Sequence, residues 1–296
     1  MKIHTELNPS AWNNKNKLFS ADELAKLFNI DILKYQVHNE WLKNKDSDAL
    51  RICSYNVHFF RDRITNEDVT DDILYSIKMI NPDLLCMQEF PKDKVLISKI
   101  KKEFNFNYHF YCIDSQQYIG NITFSKKKFI DKECVYLPKV NKLGDQRMIN
   151  KTNGKWTKSS DLINLLNIHL EVKDPKNNVR VKQINKVDNL VKNEYNQDDK
   201  IIILGDFNAL PDYYNKEINN WIERNTKYHN IEDFIDYNTS SVLKNSNFID
   251  ATPNIPFTVW SARRVDYIFV RGLKVIQSGP VYVYGSDHLP IVADVI

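Results

Sequence analysis

Glycine is scarce in this chain: seven among 296 residues, about a third of the ~7% usual in soluble proteins. Neither G-x-G-x-x-G nor a P-loop occurs, so a glycine-rich backbone cradle for nucleotide phosphates is excluded. Any phosphate chemistry must come from side chains. Cysteine is rarer still. Cys53, Cys86, Cys112 and Cys134 form no C-x-x-C pair, and the first two lie in apolar runs where a reduced thiol acts as a small hydrophobe. A zinc or disulfide framework is therefore not expected, and a reducing compartment, cytoplasmic or nuclear, is. No apolar run approaches the ~18 residues of a membrane span, and MKIHTELNPSAWNN lacks the apolar stretch of a signal peptide. Net charge is also small, 41 Lys+Arg against 38 Asp+Glu, so bulk electrostatics select neither nucleic acid nor membrane. Only nine of the basic residues are arginine, which makes the place of each one informative.

What is present suits a globular domain: 42% hydrophobic and 27% charged residues in a length that can bury a large core. Residues 1–47 read as a helical N-terminal extension. Ser20-Ala21-Asp22-Glu23 is a capping box, and Leu33, Val37 and Trp41 recur at helical spacing. From residue 48 to 296 short apolar runs alternate with helical patterns, with no internal repeat or linker. Strands are expected at 51–57, 83–87, 121–125, 134–137, 162–168, 201–204, 265–270, 281–284 and 291–295. Helices are expected at 69–80, 94–104 and around 181–191.

Six of the apolar runs end in, or lead into, residues able to bind metal or phosphate. They read Ser54-Tyr55-Asn56, Met87-Gln88-Glu89, Asn167-Ile168-His169, Gly205-Asp206-Phe207-Asn208, Arg264-Val265-Asp266 and Ser286-Asp287-His288. Singly each is ordinary: a histidine after a strand, a Gly-Asp turn, a polar loop. Strand ends converging on one edge of a sandwich would gather them into a single cleft. Their joint occurrence in this order resembles the endonuclease/exonuclease/phosphatase superfamily with its DNase I-like fold, over about residues 48–296. Gly120-Asn121-Ile122-Thr123 and Arg180-x-x-Gln183 match it too.

The resemblance implies a four-layer α/β sandwich, two mainly antiparallel sheets face to face with helices outside. It implies metal ligation by Asn56 and Glu89, with Asp287 nearby, as hard oxygens suited to Mg²⁺ or Mn²⁺. Asp206 would orient and deprotonate the attacking water, or else ligate a second metal. Asn208 would hold that water or the phosphate. Asp266 would orient His288, whose imidazolium stabilises the pentacoordinate phosphate, and His169 would contact the same oxygens.

Which phosphoester is cleaved is less defined. The histidine at 169 departs from abasic-site endonucleases, and Ala262-Arg263-Arg264-Val265-Asp266 departs from inositol-polyphosphate phosphatases. His169-Leu170-Glu171 is similar to tyrosyl-DNA phosphodiesterases, whereas Gly205 to Asp212 looks like the deadenylase branch. Arg61, Arg63, Arg147, Arg180, Arg263 and Arg264 fall near motif segments as candidate phosphate contacts, and Phe59, Phe60, Phe257 and Trp260 as base-stacking candidates. The expected activity is a metal-dependent phosphodiesterase on DNA or RNA, acting as a monomer. A small or lipid phosphoester, or a non-catalytic nucleic-acid-binding role, stands as the alternative.

Overall fold

A computed structural model describes residues 39–296 except 64, 114–117, 140–145, 173, 175–177, 211–236, 254, 256 and 260–262. Its first strands are β1 (Leu50–Asn56), β2 (Leu84–Pro91), β3 (Tyr108–Ile113), β4 (Ile119–Ser125), β5 (Asp131–Tyr136) and β6 (Met148–Gly154). Then come β7 (Ile163–His169), β8 (Lys200–Asp206), β9 (Ile249–Asp250), β10 (Asp266–Arg271), β11 (Val275–Pro280) and β12 (Ile291–Val295). The described helices are α1 (Thr70–Ile80), α2 (Lys94–Glu103), α3 (Asn178–Glu194) and α4 (Tyr237–Asn245).

The strands form two six-stranded sheets, ordered β11-β12-β1-β2-β4-β3 and β5-β6-β7-β8-β10-β9. Each has one parallel pair at its centre, β1 with β2 and β7 with β8, and is otherwise antiparallel. Parallel neighbours need a crossover, and α1 and α3 provide it. Every residue of β1 and of β7 is buried, polar ones included, so neither strand shows the polar-out alternation of a half-exposed strand. Ile52, Leu84, Ile202 and Ile268 meet between the sheets. Tyr55, Leu85 and Met87 pack under α1 and α2, and Leu166, Ile203 and Phe269 under α3. Helix, sheet, sheet, helix is the expected four-layer order.

Near the carboxyl ends of the parallel pairs the space between the sheets turns polar. Gln88 Nε2 donates to Asn167 Oδ1 at 2.8 Å, while Asn167 Nδ2 donates to the carbonyls of Ile122 at 3.1 Å and Met87 at 3.3 Å. Asn121 Nδ2 reaches Met148 O at 3.0 Å. Asn150 Nδ2 reaches Asn121 O at 3.0 Å and its Oδ1 accepts from Thr123 at 2.9 Å. These amides bind one sheet to the other.

Several expectations need correction. Cys112 and Cys134 form a disulfide, against the reading that no disulfide framework exists. They sit on β3 and β5, the edge strands of opposite sheets, where two edges meet far from any local spacing signal. The strand expected at 281–284 is absent. β11 supplies that pairing instead, because Val281 and Val283 are drawn into the helix-side core. Of the N-terminal extension only residues 39–47 fall within the described part. They carry a short 3₁₀ turn at Glu40–Asn44, fastened by Arg51 Nη1 to Leu42 O at 2.7 Å and by Asn39 Nδ2 to Tyr282 O at 2.9 Å.

Removing Asn167 leaves Gln88 with only its 3.2 Å bond to Ser54 Oγ and takes a donor from two carbonyls in a dry interface. Asn167→Ala should lower unfolding stability by at least about 2 kcal/mol in chemical denaturation. Asn164→Ala, which loses one 3.4 Å bond at the other end of β7, should cost under about 1 kcal/mol. Similar losses for the two variants would refute a special role for the cross-sheet amides. Reducing Cys112–Cys134, which closes a loop of 22 residues, should cost about 3 kcal/mol. Cys112→Ser should reproduce that shift and abolish the protein's response to reductant.

Candidate active site

Register builds the site. The parallel pairing sets Asn56 beside Gln88 and His169 beside Asp206, and the antiparallel β8–β10 pairing sets Asp266 opposite Asp206. Both parallel pairs thus deliver their carboxyl ends to one edge of the sandwich, the usual place for ligands in such sheets. Gly205 is required for this. With φ at 138°, a Cβ there would lie 1.9 Å from Ile168 O, so only glycine lets β8 carry Asp206 so close to β7.

Glu89 arrives by a different device. Between Met87 and Phe90 the β2–β4 register slips, three steps on β2 answering two on β4. Glu89 sits in this bulge with φ at 52°, a left-handed conformation that costs a non-glycine residue about 1 kcal/mol. Asn208 is also left-handed, at 49°. Such outliers cluster where function fixes the backbone.

The buried Asp206 carboxylate is the hub. Its Oδ2 accepts from Asn56 Nδ2 at 3.0 Å and lies 3.6 Å from His169 Nε2 and 3.7 Å from His288 Nε2. Its Oδ1 accepts from the Asn208 backbone N–H at 2.9 Å, and Asn208 Nδ2 donates to Leu170 O at 3.1 Å. Burial and the neighbouring Asp266 charge push the Asp206 carboxyl up to about 7. Asp266 Oδ2 pairs with His288 Nδ1 at 2.9 Å. Burial pulls His288 down, but the carboxylates of Asp266, Asp206 and Asp287 outweigh it and push the imidazole up to about 10. His169 goes the other way. Burial, the Arg147 charge and His288 hold it well below its ordinary value, with Arg147 Nη1 3.0 Å from its Nδ1. One histidine is charged and the other neutral, on either side of one carboxylate.

Glu89 Oε1 lies 3.3 Å from Asn56 Nδ2 and lines a small open pocket together with Gly120, Asn121, Arg147, Met148 and His169. Asp287 is buried and paired to Arg63 Nη1 at 2.6 Å. The Glu89 and Asp287 carboxylates are hard oxygen donors of the kind Mg²⁺ takes, whereas Asn56 turns its amide nitrogen to Glu89 and Asp206 and gives its oxygen to His58 N–H. Asp206, Asp266 and His288 each offer a ligand atom within 4.8 Å of the others. Their closest internal contact is already the His288–Asp266 hydrogen bond.

The arginines divide. Arg264 is fully buried, its Nη2 2.8 Å from both Asp250 oxygens and its guanidinium 4.4 Å from the Tyr267 ring. Arg180 is fully buried too and donates to the carbonyls of Glu171 and Val172. Neither is presented to a substrate, contrary to the sequence expectation; both brace backbone, Arg180 together with Gln183, whose Oε1 accepts from Glu171 N–H at 2.9 Å. Arg263 lies on the Val259 bridge, and Trp260 lies outside the described residues. Phe60 and Phe257 are buried and Phe59 is exposed. Arg63 and Arg147, which do contact site residues, carried no distinguishing signal beyond their nearness to the motifs.

A buried carboxylate flanked by two histidines at the edge of a two-sheet sandwich suits the hydrolysis of phosphoesters. The chain belongs to the Endonuclease/Exonuclease/phosphatase family, whose sequence profile matches residues 53–288. No curated protein sequence matches it. Among solved structures it is similar to an endonuclease/exonuclease/phosphatase from Beutenbergia cavernae, with TM-score 0.65 at 15% identity over 84% of this chain and 71% of that one. TDP2 of D. rerio complexed with single strand DNA product superposes with TM-score 0.60 at 19% identity, covering 85% of this chain and 100% of that one. The human Nocturnin catalytic domain with bound sulfate gives 0.59 at 18% identity, over 85% and 96%. At such identities these likenesses establish the fold.

The titrations carry a sign. A His288 value raised from 6.5 to about 10 stabilises the fold fully below pH 6.5 and less as pH climbs towards 10. Asp206, raised from 3.8 to about 7, acts in the same sense across that lower window. In chelator, the melting temperature should fall from pH 6.5 to 10. His288→Gln should melt lower throughout but with that slope flattened; an unchanged slope would assign the loss to other groups.

Proposed function

We propose that the protein is a Mg²⁺-dependent phosphodiesterase of DNA or RNA, with Mn²⁺ able to substitute, that cleaves by in-line attack of water. The observation that carries this reading is the Asp206 hub, one carboxylate within 3.7 Å of an amide and two histidines. When bound, the metal ion held by Glu89, Asn56 and Asp287 supplies charge neutralisation at the phosphate and leaving oxygen.

The chain's own groups do the rest. Asp206, with its carboxyl near 7, can hold a water and take its proton at neutral pH. Asn208 is fixed to Leu170 O and to Asp206, so its amide marks the side from which water or phosphate is held. His288, kept as imidazolium by Asp266, offers Nε2 to the negative charge that grows on the phosphoryl oxygens. His169, kept neutral, offers a hydrogen bond without a second full charge. A covalent enzyme intermediate is not called for: Cys53 and Cys86 are buried in the core, and the attack inverts phosphorus.

Nucleic acid is favoured by the exposed Arg61, Arg63 and Phe59 beside the cleft, which suit a phosphate backbone and a base. The DNA product in the TDP2 structure accords with it. Purified protein should be assayed on single-stranded and duplex DNA, abasic DNA, 5′-tyrosyl DNA, poly(A) RNA and a phosphoinositide, with Mg²⁺ or chelator. Turnover of a nucleic-acid substrate that chelator abolishes is expected. Asp206→Asn should lower kcat by roughly 10²–10⁴ while melting like wild type. Turnover of the phosphoinositide alone would move the reading to lipid phosphoesters. Nucleic-acid binding with no turnover by either protein would mark a binding domain.

A further inference from the structure

Asp287 is buried, and a buried carboxylate needs a counter-charge. Arg63 supplies one at 2.6 Å, with Arg63 about half exposed and Asp287 nearly inaccessible. The contact comes from a built loop. Directly after β1, His58, Phe59 and Phe60 hold φ of 38°, 57° and 59°, three consecutive left-handed residues. The Asn56 side chain caps this turn by accepting from the His58 N–H at 3.1 Å. Phe60 anchors it in the core, edge-on to Phe90 at 5.5 Å. Asp62 fixes the far side, accepting from the Tyr284 hydroxyl at 3.0 Å and from Thr65 N–H at 2.8 Å. The partner segment is equally set: the Tyr55 hydroxyl accepts from Ser286 N–H at 3.4 Å, and Ser286 Oγ from His288 N–H at 3.2 Å.

We propose that Arg63 is an internal counter-cation that competes with the divalent ion for Asp287. The inference rests on the reading of Asp287 as a metal ligand. A guanidinium and a divalent ion cannot both contact one carboxylate oxygen without strong like-charge repulsion. Ion binding through Asp287 Oδ2 therefore requires Arg63 to let go, and the Arg63 side chain is about half exposed. Arg63 keeps Asp287 ionised and in place when the ion is away, at the expense of affinity when the ion arrives. Once released from Asp287, its guanidinium can take a substrate phosphate as a partner.

Calorimetric titration of Mn²⁺ into wild type, Arg63→Ala, Arg63→Lys and Asp287→Asn tests this. Arg63→Ala should bind the ion roughly fivefold more tightly, the scale of a half-exposed ion pair, with Arg63→Lys in between. Asp287→Asn should bind it at least about tenfold more weakly, as loss of a charged ligand demands. Without metal, Arg63→Ala should melt below wild type, and saturating Mn²⁺ should close that gap. If Asp287→Asn binds more weakly while Arg63→Ala equals or falls below wild type, competition is overturned though Asp287 remains a ligand. If Asp287→Asn binds the ion unchanged, Asp287 is not a ligand and both readings fall together.

Discussion

The structure depends on a small polar seam between two hydrophobic sheets. Gln88, Asn121, Asn150 and Asn167 link carbonyls and side chains across an interface whose other end is aliphatic. Two apolar faces can slide over one another at little cost, because hydrophobic contact is not directional. Buried amides cannot, since each donor out of register loses its partner in a dry medium. The seam therefore fixes the offset of the sheets, and the candidate site side chains sit at the strand ends just beyond it. The Cys112–Cys134 bond continues the seam outward, for Cys112 pairs with Asn121 and Cys134 with Asn150 in the sheet ladders.

With the sheets held in register, the charges of the site can be distributed unevenly. Asp206 is surrounded by groups that disagree about protons. Asp266 and burial oppose its charge, His288 favours it, and Asn56 and the Asn208 N–H hydrogen-bond to it. A carboxyl poised near neutrality is the result, which an isolated surface aspartate would not show. The two histidines are near-equivalent in their distance to Asp206 and opposite in charge state, because one has a carboxylate behind it and the other an arginine.

The central architecture was readable because the central strands are rich in apolar residues, and because several of them end in a candidate site residue. β6 was not readable, since MINKTNG is polar for the reason that Asn150 and Thr152 point into the buried interface rather than to water. β3 and β11 were hidden as well, one a mixed aromatic edge and the other ending in Gly279-Pro280. Asn56, Glu89, His169, Asp206, Asn208, Asp266 and His288 were assigned from motif order and come together in space. The arginines show the limit of such reasoning. Arg180 and Arg264 look in sequence like any exposed phosphate ligand, and only tertiary contacts reveal guanidinium groups turned inward onto carbonyls and Asp250. The disulfide is a similar case, because nothing local tells two edge strands that they meet.

The extra residue in β2 does more than reorient one side chain. Leu85 and Met87 face the helices, and so does Phe90, although strict alternation would send position 89 there and 90 between the sheets. Were the same residues laid out in regular alternation with no bulge, the Glu89 carboxylate would be addressed to the aliphatic layer beneath α1 and α2, and Phe90 to the amide seam. Counting, not chemistry, decides where that charge goes. Side chains along β2 can thus vary within their layer, while the bulge between Met87 and Phe90 is fixed: the same residues in regular alternation would exchange the site-facing and core faces of the strand's end.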